Sequence, residues 1–142
     1  MTGIIQYLFR KPSSDEPLVR ESKLDLVENQ GIMGDKSFGR RKRQVLLVEE
    51  EIIHKYGLKP GDLKENIVTS NLRLSQLDIG TQLIIGDVTL EVTGDCAPCS
   101  YMEELQEGLF EKIKGNRGVL AIVRKGTEIK VGDQIEVLIE EN

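Results

Sequence analysis

The chain is poor in the residues that metals and nucleic acids recruit: two cysteines, one histidine and three phenylalanines among 142 residues. A structural zinc site takes four ligands, so two cysteines and the distant His54 exclude a mononuclear one within the chain. Scattered phenylalanines and a net charge of −5 argue against an RNA platform and against generic nucleic-acid binding. No apolar run approaches the roughly 18 residues of a membrane span. The opening Met1-Thr2-Gly3-Ile4-Ile5-Gln6-Tyr7-Leu8-Phe9 lacks the basic start and small-residue cleavage site of a signal peptide. These absences lead to the expectation of a cytoplasmic chain with no membrane partner. In a reducing compartment, a cysteine pair reads as catalytic or metal-binding before it reads as a staple.

What is present centres on Cys96-Ala97-Pro98-Cys99, which holds both cysteines. It lies between a strand-like run and Ser100-Tyr101-Met102-Glu103, which has the spacing of a capping box. Leu105, Leu109, Phe110 and Ile113 then recur at helical spacing. A thiol at a helix start is drawn toward the thiolate by unpaired N–H groups. Thiolate is the form that attacks sulfur, binds soft metals and carries a persulfide. Cys99 is therefore the candidate reactive sulfur. Cys96 reads either as a partner that resolves an oxidised or persulfidated Cys99 by disulfide formation, or as a small hydrophobe at a strand end.

The remaining pattern predicts one domain, residues 1–142, large enough for its own core. Strands are expected at Ile4–Phe9, Lys23–Glu28, Gln44–Val48, Glu65–Thr69, Val119–Val123 and Gln134–Ile139, with two more in Leu77–Val92 joined at Gly86-Asp87. A short helix is expected over Glu49–Tyr56, stopping near Gly57. Short strands at frequent turns, with few helices, predict a mainly β protein: a closed or partly open barrel rather than a βαβ fold. The segments Asp78–Ile85 and Lys130–Val137 echo each other as glycine corners leading into strands. The basic run Arg40-Arg41-Lys42-Arg43 reads as a solvated loop or as a local anion site in an acidic protein.

Several segments resemble the MOSC domain, found at the C-terminus of molybdenum cofactor sulfurases and in stand-alone bacterial proteins. They include Gly31-Ile32-Met33-Gly34-Asp35, Arg43-Gln44-Val45-Leu46-Leu47 and Pro60-Gly61-Asp62-Leu63-Lys64-Glu65-Asn66-Ile67. Pro98-Cys99, Gly118-Val119 and Val131-Gly132-Asp133 continue the likeness, which runs from about Leu24 to Leu138. The resemblance implies a barrel of the pyruvate-kinase-barrel type. It also implies a molybdenum cofactor (molybdopterin) as ligand, with Cys99 carrying sulfur or contacting the metal. A histidine common in the family two residues after Gly-Asp is Ser37 here, which puts imidazole chemistry at that loop in doubt.

If the barrel gathers Arg43 and Arg117 near Cys99, their planar forks suit the cofactor's phosphate. Asn66 can donate and accept at a pterin edge, with Glu65 beside it, or the pair can hold a turn after Pro60-Gly61. Asp35 is likewise a turn residue or a site residue orienting a cation. The implied function is cofactor binding, sulfur carriage on Cys99, or both. The chain has no room for a pyridoxal-dependent desulfurase domain, so no covalent pyridoxal phosphate is expected. Sulfur would come from a cysteine desulfurase or pass to a molybdenum enzyme. A molybdenum-dependent reductase module with Cys99 as ligand, and a non-catalytic anion- or partner-binding barrel, are the alternatives.

Overall fold

Strands covered on one face alternate apolar and polar residues, whereas strands covered on both run apolar throughout. Lys23-Leu24-Asp25-Leu26-Val27 is of the first kind and Val45-Leu46-Leu47-Val48 of the second. A computed structural model describes residues 1–138 of the chain; Ile139, the last residue of the final expected strand, lies outside that range. In chain order the elements are β1 (Thr2–Arg10), β2 (Val19–Glu21), β3 (Lys23–Val27), β4 (Gly31–Ile32), β5 (Val45–Glu49) and α1 (Glu50–Lys55). They continue as β6 (Ile67–Ser70), β7 (Gln82–Ile85), β8 (Val88–Asp95), α2 (Tyr101–Leu105), α3 (Leu109–Lys112), β9 (Val119–Lys125), β10 (Glu128–Lys130) and β11 (Gln134–Leu138).

Seven strands close a barrel in the circuit β1-β6-β5-β9-β8-β7-β11, with β11 returning to β1 through Gly3↔Ile135. β2 adds to β1 outside the circuit, and β10-β3-β4 form a separate small sheet. Val45, Leu47, Ile67, Leu83, Leu90, Ala121 and Ile135 point into the barrel and fill it. On β5, Leu46 and Val48 face the other way, into a second cluster with Ile53 of α1, Met102 of α2 and Leu109 of α3. This outer layer is why β5 is apolar from Val45 through Val48. β1 changes face midway: Ile5 and Leu8 both enter the barrel although they are three residues apart. The register shifts between Ile5 and Tyr7 opposite β6. A bulge there restores the inward parity and turns Phe9 out to the helices.

The glycine corners before β7 and β11 adopt the same left-handed turn, Gly80 at φ +94° and Gly132 at +96°. The strands they feed pair with each other, Leu83 opposite Val137, so the echo is one corner used on two neighbouring strands.

The mainly β barrel is as expected, and it holds one local β-α-β unit, where β5 and β6 run parallel on either side of α1. Other expectations need correction. Leu77–Thr81 is not strand; β7 begins only at Gln82. The helix expected from Ser100 onward breaks in two at Gly108, which sits at φ +81°. Ser100 makes no side-chain cap. Glu103 instead reaches forward and accepts from the N–H groups of Gly108 and Phe110, at 3.0 and 2.9 Å. Those two donors hold its carboxyl below the ordinary carboxylate range.

Candidate functional site

An open cleft of about 250 Å³ lies where five loops meet beside β5, one of them giving only Lys11, just after β1. One wall is the 35–44 loop, another the Lys64–Asn66 approach to β6. Cys96 and Cys99 come from the segment after β8, and Arg117 from the turn before β9. Six cations line this cleft, namely Lys11, Lys36, Arg40, Arg43, Lys64 and Arg117, against the single carboxylate of Asp35. In a chain of net charge −5, so lopsided a lining makes the cleft a local well for anions.

The cysteines differ sharply. Cys96 prolongs β8, its N–H donating to the carbonyl of Gly118 at 2.8 Å, and its side chain is buried. Ala97-Pro98 then ends strand pairing, since proline has no N–H to give. Cys99 follows as an exposed thiol. α2 is a single five-residue turn, so the positive surroundings of Cys99 derive from side-chain cations rather than from a helix dipole.

Arg117 is held by its chain neighbour Gly118 and by its own side chain. Gly118 lies at φ +133°, and a Cβ there would meet the Leu47 carbonyl oxygen at 2.7 Å. Only glycine lets the start of β9 approach β5 so closely. The Arg117 side chain is 5% exposed, and its Nη2 donates to the Leu63 carbonyl at 2.7 Å. Nε and Nη1 are buried without a partner. An unpaired buried guanidinium is costly, by several kcal/mol in effective terms. Arg117 also lines the cleft, where a bound anion would offset its charge.

Asp35, Asn66 and Gln44 form the frame. Asp35 Oδ1 accepts from the Lys11 N–H at 2.8 Å, and Oδ2 from the Ser37 N–H at 3.0 Å. Asn66 Nδ2 donates to Asp35 Oδ1 and to the Phe9 carbonyl, both at 3.2 Å, while its Oδ1 accepts from the Leu46 N–H at 2.9 Å. Gln44 donates to the carbonyls of Asn29 and Arg40 and accepts from the Val123 N–H. These amides tie the basic loop to β1, β5 and β9. The turn reading of Asp35 and Asn66 is thus satisfied by the frame, although both also line the cleft.

Of the residues singled out in the sequence, Cys96, Cys99, Arg43, Asn66, Asp35 and Arg117 line this one cleft. Glu65 does not. It is fully buried beside the cleft, with Oε2 accepting from the Gly61 N–H at 2.9 Å and Oε1 unpartnered. Burial pushes its carboxyl up, with the Gly61 N–H and the Arg117 charge pulling the other way. His54 is exposed on α1, away from the cleft. Ser37, in the histidine position, lines the cleft and gives only its backbone N–H to Asp35.

Lys11, Lys36 and Lys64 were not foreseen as cleft residues. Lys64 takes the left-handed φ of +58°, unusual for a residue with a Cβ. Its Nζ lies 3.9 Å from the centre of the Tyr101 ring, a cation–π contact that fixes a flexible chain at the cleft wall. Burial, then the Asp62 carboxylate, push the Tyr101 phenol up. Among the described residues no three His, Cys, Asp or Glu side chains cluster to hold a metal, and no helix is long and apolar enough to cross a membrane.

Comparisons with known proteins agree with this architecture. Among solved structures, the chain is similar to the YUAD protein from Bacillus subtilis at a TM-score of 0.84, with 24% identity over 96% of each chain. It is also similar to YiiM from Escherichia coli, at 0.71 and 17%, covering 99% of this chain and 71% of that one. For YiiM from Geobacillus stearothermophilus the values are 0.71 and 18%, covering 96% and 75%. At these identities the likeness is one of fold. No curated protein sequence matches the chain. The model of the MOSC domain family, however, matches residues 36–136, a span holding every cleft residue except Lys11 and Asp35. The chain belongs to the MOSC domain family.

Proposed function

We propose that the cleft seats a phosphate-bearing pterin cofactor of the molybdenum type, and that Cys99 is the sulfur that reacts there. One observation carries this reading: a buried guanidinium with two unpaired donors shares a cleft with an exposed thiol. The donor set fits such a group. Arg117 keeps two unpartnered donors, Nε and Nη1, and a charged N–H makes a strong hydrogen bond to a phosphate oxygen. Arg40, Arg43 and Lys64 on the walls add compensating charge, and Cys99 supplies a soft sulfur for a metal whose other ligands arrive with the cofactor. When bound, the cofactor would bring redox or sulfur chemistry at its metal.

The protein's own part is to hold the anion, keep Cys99 in reach of it and exchange sulfur with a partner. In that exchange the Cys99 thiolate attacks the outer sulfur of a donor persulfide, such as one on a cysteine desulfurase. The donor's S–S bond breaks, a new S–S bond forms on Cys99, and the donor leaves as a thiolate; nothing is oxidised or reduced overall. Passing the sulfur to a molybdenum enzyme would complete the carrier role.

Intact-mass measurement after exposure to a persulfide donor tests carriage. The protein should gain one sulfur atom, and Cys99→Ala should gain none while Cys96→Ala still does. A wild-type protein that gains nothing would rule out carriage. A reductase module with Cys99 as metal ligand would instead retain molybdenum through purification, and lose it on Cys99→Ala.

A further inference from the structure

Glu65 and Arg117 are oppositely charged neighbours, both buried, yet no hydrogen bond joins them: Oε1 of one and Nε and Nη1 of the other are unpartnered. Each has its remaining bond to backbone, Glu65 to the Gly61 N–H and Arg117 to the Leu63 carbonyl. Resting on the anion seat described above, we propose that anion binding at Arg117 is coupled to protonation of Glu65, so that the incoming anion brings a proton with it. Glu65 is then a positioning residue, acting through Arg117 rather than on the ligand.

The reasoning is one of charge balance in a buried space. A guanidinium stays charged at any physiological pH and needs a negative neighbour when removed from water. Glu65 is that neighbour until an anion enters the cleft. Asp35 is not an equivalent alternative, because its two oxygens are taken by Lys11, Ser37 and Asn66. An anion at Arg117 adds a second negative charge to the same cation, and two like charges in one site favour neutralising the weaker acid. Glu65 is the group that can yield, since burial already disfavours its ionised form. The proton comes from solvent and settles on Oε1, leaving Oε2 on the Gly61 N–H. Other charged or titratable groups around the pair are Tyr101 and Glu104 of α2, and Asp62 and Lys64 of the same loop as Glu65. Of these, Lys64 alone lines the cleft.

Sulfate is the probe, because its charge does not change between mildly acid and neutral pH. Calorimetric titration in two buffers of equal pH and different ionisation heats counts the protons taken up. The wild-type protein should take up close to one proton per sulfate above the titration of free Glu65, with affinity falling about tenfold per pH unit there. Glu65→Gln should bind sulfate with no proton uptake and a flat pH profile. Sulfate binding without proton uptake by the wild type, or unchanged uptake in Glu65→Gln, overturns the coupling and leaves the anion seat standing. A wild type that does not bind sulfate, or binding unchanged in Arg117→Gln, overturns the anion seat and the coupling together.

Discussion

Two sets of buried polar side chains sit side by side around the cleft, and they are built on opposite terms. Asp35, Gln44 and Asn66 are buried with both carboxylate or amide ends hydrogen-bonded. Glu65 and Arg117 are buried just as deeply and leave three polar atoms unpartnered. A satisfied buried amide fixes loops; an unsatisfied buried charge waits for a ligand. The difference separates the frame of the site from its working part more cleanly than proximity does, since Asn66 and Arg117 touch the same cleft.

The comparison can be broken by substitution. The largest effect is expected from Gly118→Ala, where the new methyl must displace the Leu47 carbonyl and occupy a left-handed backbone. A loss of about 3 kcal/mol or more is expected, read as a lower denaturant midpoint, together with loss of sulfate binding as Arg117 is displaced. Asn66→Ala comes next, because it strands the half-buried Leu46 N–H and removes two donated bonds. Its cost should be about 2–3 kcal/mol in the same measurement. If Asn66→Ala proved neutral, the frame would not be a frame.

Glu65→Gln should have the smallest effect, of opposite sign. Burial raises the Glu65 carboxyl above its ordinary value near 4.5, so the folded state holds that proton more tightly than the unfolded chain. The Glu65 contribution to stability is therefore greatest below that value and declines as pH rises toward the raised one. The glutamine variant carries no such proton. Its advantage should be absent in acid and grow toward neutral pH, and an advantage largest in acid would contradict the assignment.

Much of the barrel was legible in the sequence because its strands are apolar runs bounded by glycine turns. The Gly86-Asp87 hairpin, with Ile85 opposite Val88, and the helix ending at Gly57 follow from local chemistry alone. β2, β4 and β10, two or three residues each, carry no period to detect. The capping-box spacing of Ser100 and Glu103 misled for a physical reason: a carboxylate three residues in can also swing forward to the next helix, and Gly108 makes room for that. Cys99, Arg43 and Arg117 stood out by residue type and family likeness. Lys11, Lys36 and Lys64 are isolated loop charges that only barrel closure brings together. Glu65 and Asn66 are adjacent in the chain, yet only Asn66 reaches the cleft wall.

Closure of the seven-strand circuit through β1 and β11 has a consequence for how this molecule meets others. Among the described residues, unpaired backbone edges remain only on short strands, the three residues of β2 and the margins of β10-β3-β4. Annealing a visiting polypeptide into the main wall as an extra strand has almost nowhere to begin. A partner docking at the cleft would instead meet the charged loop tips around its mouth, where ionic strength rather than backbone register would govern how long it stays.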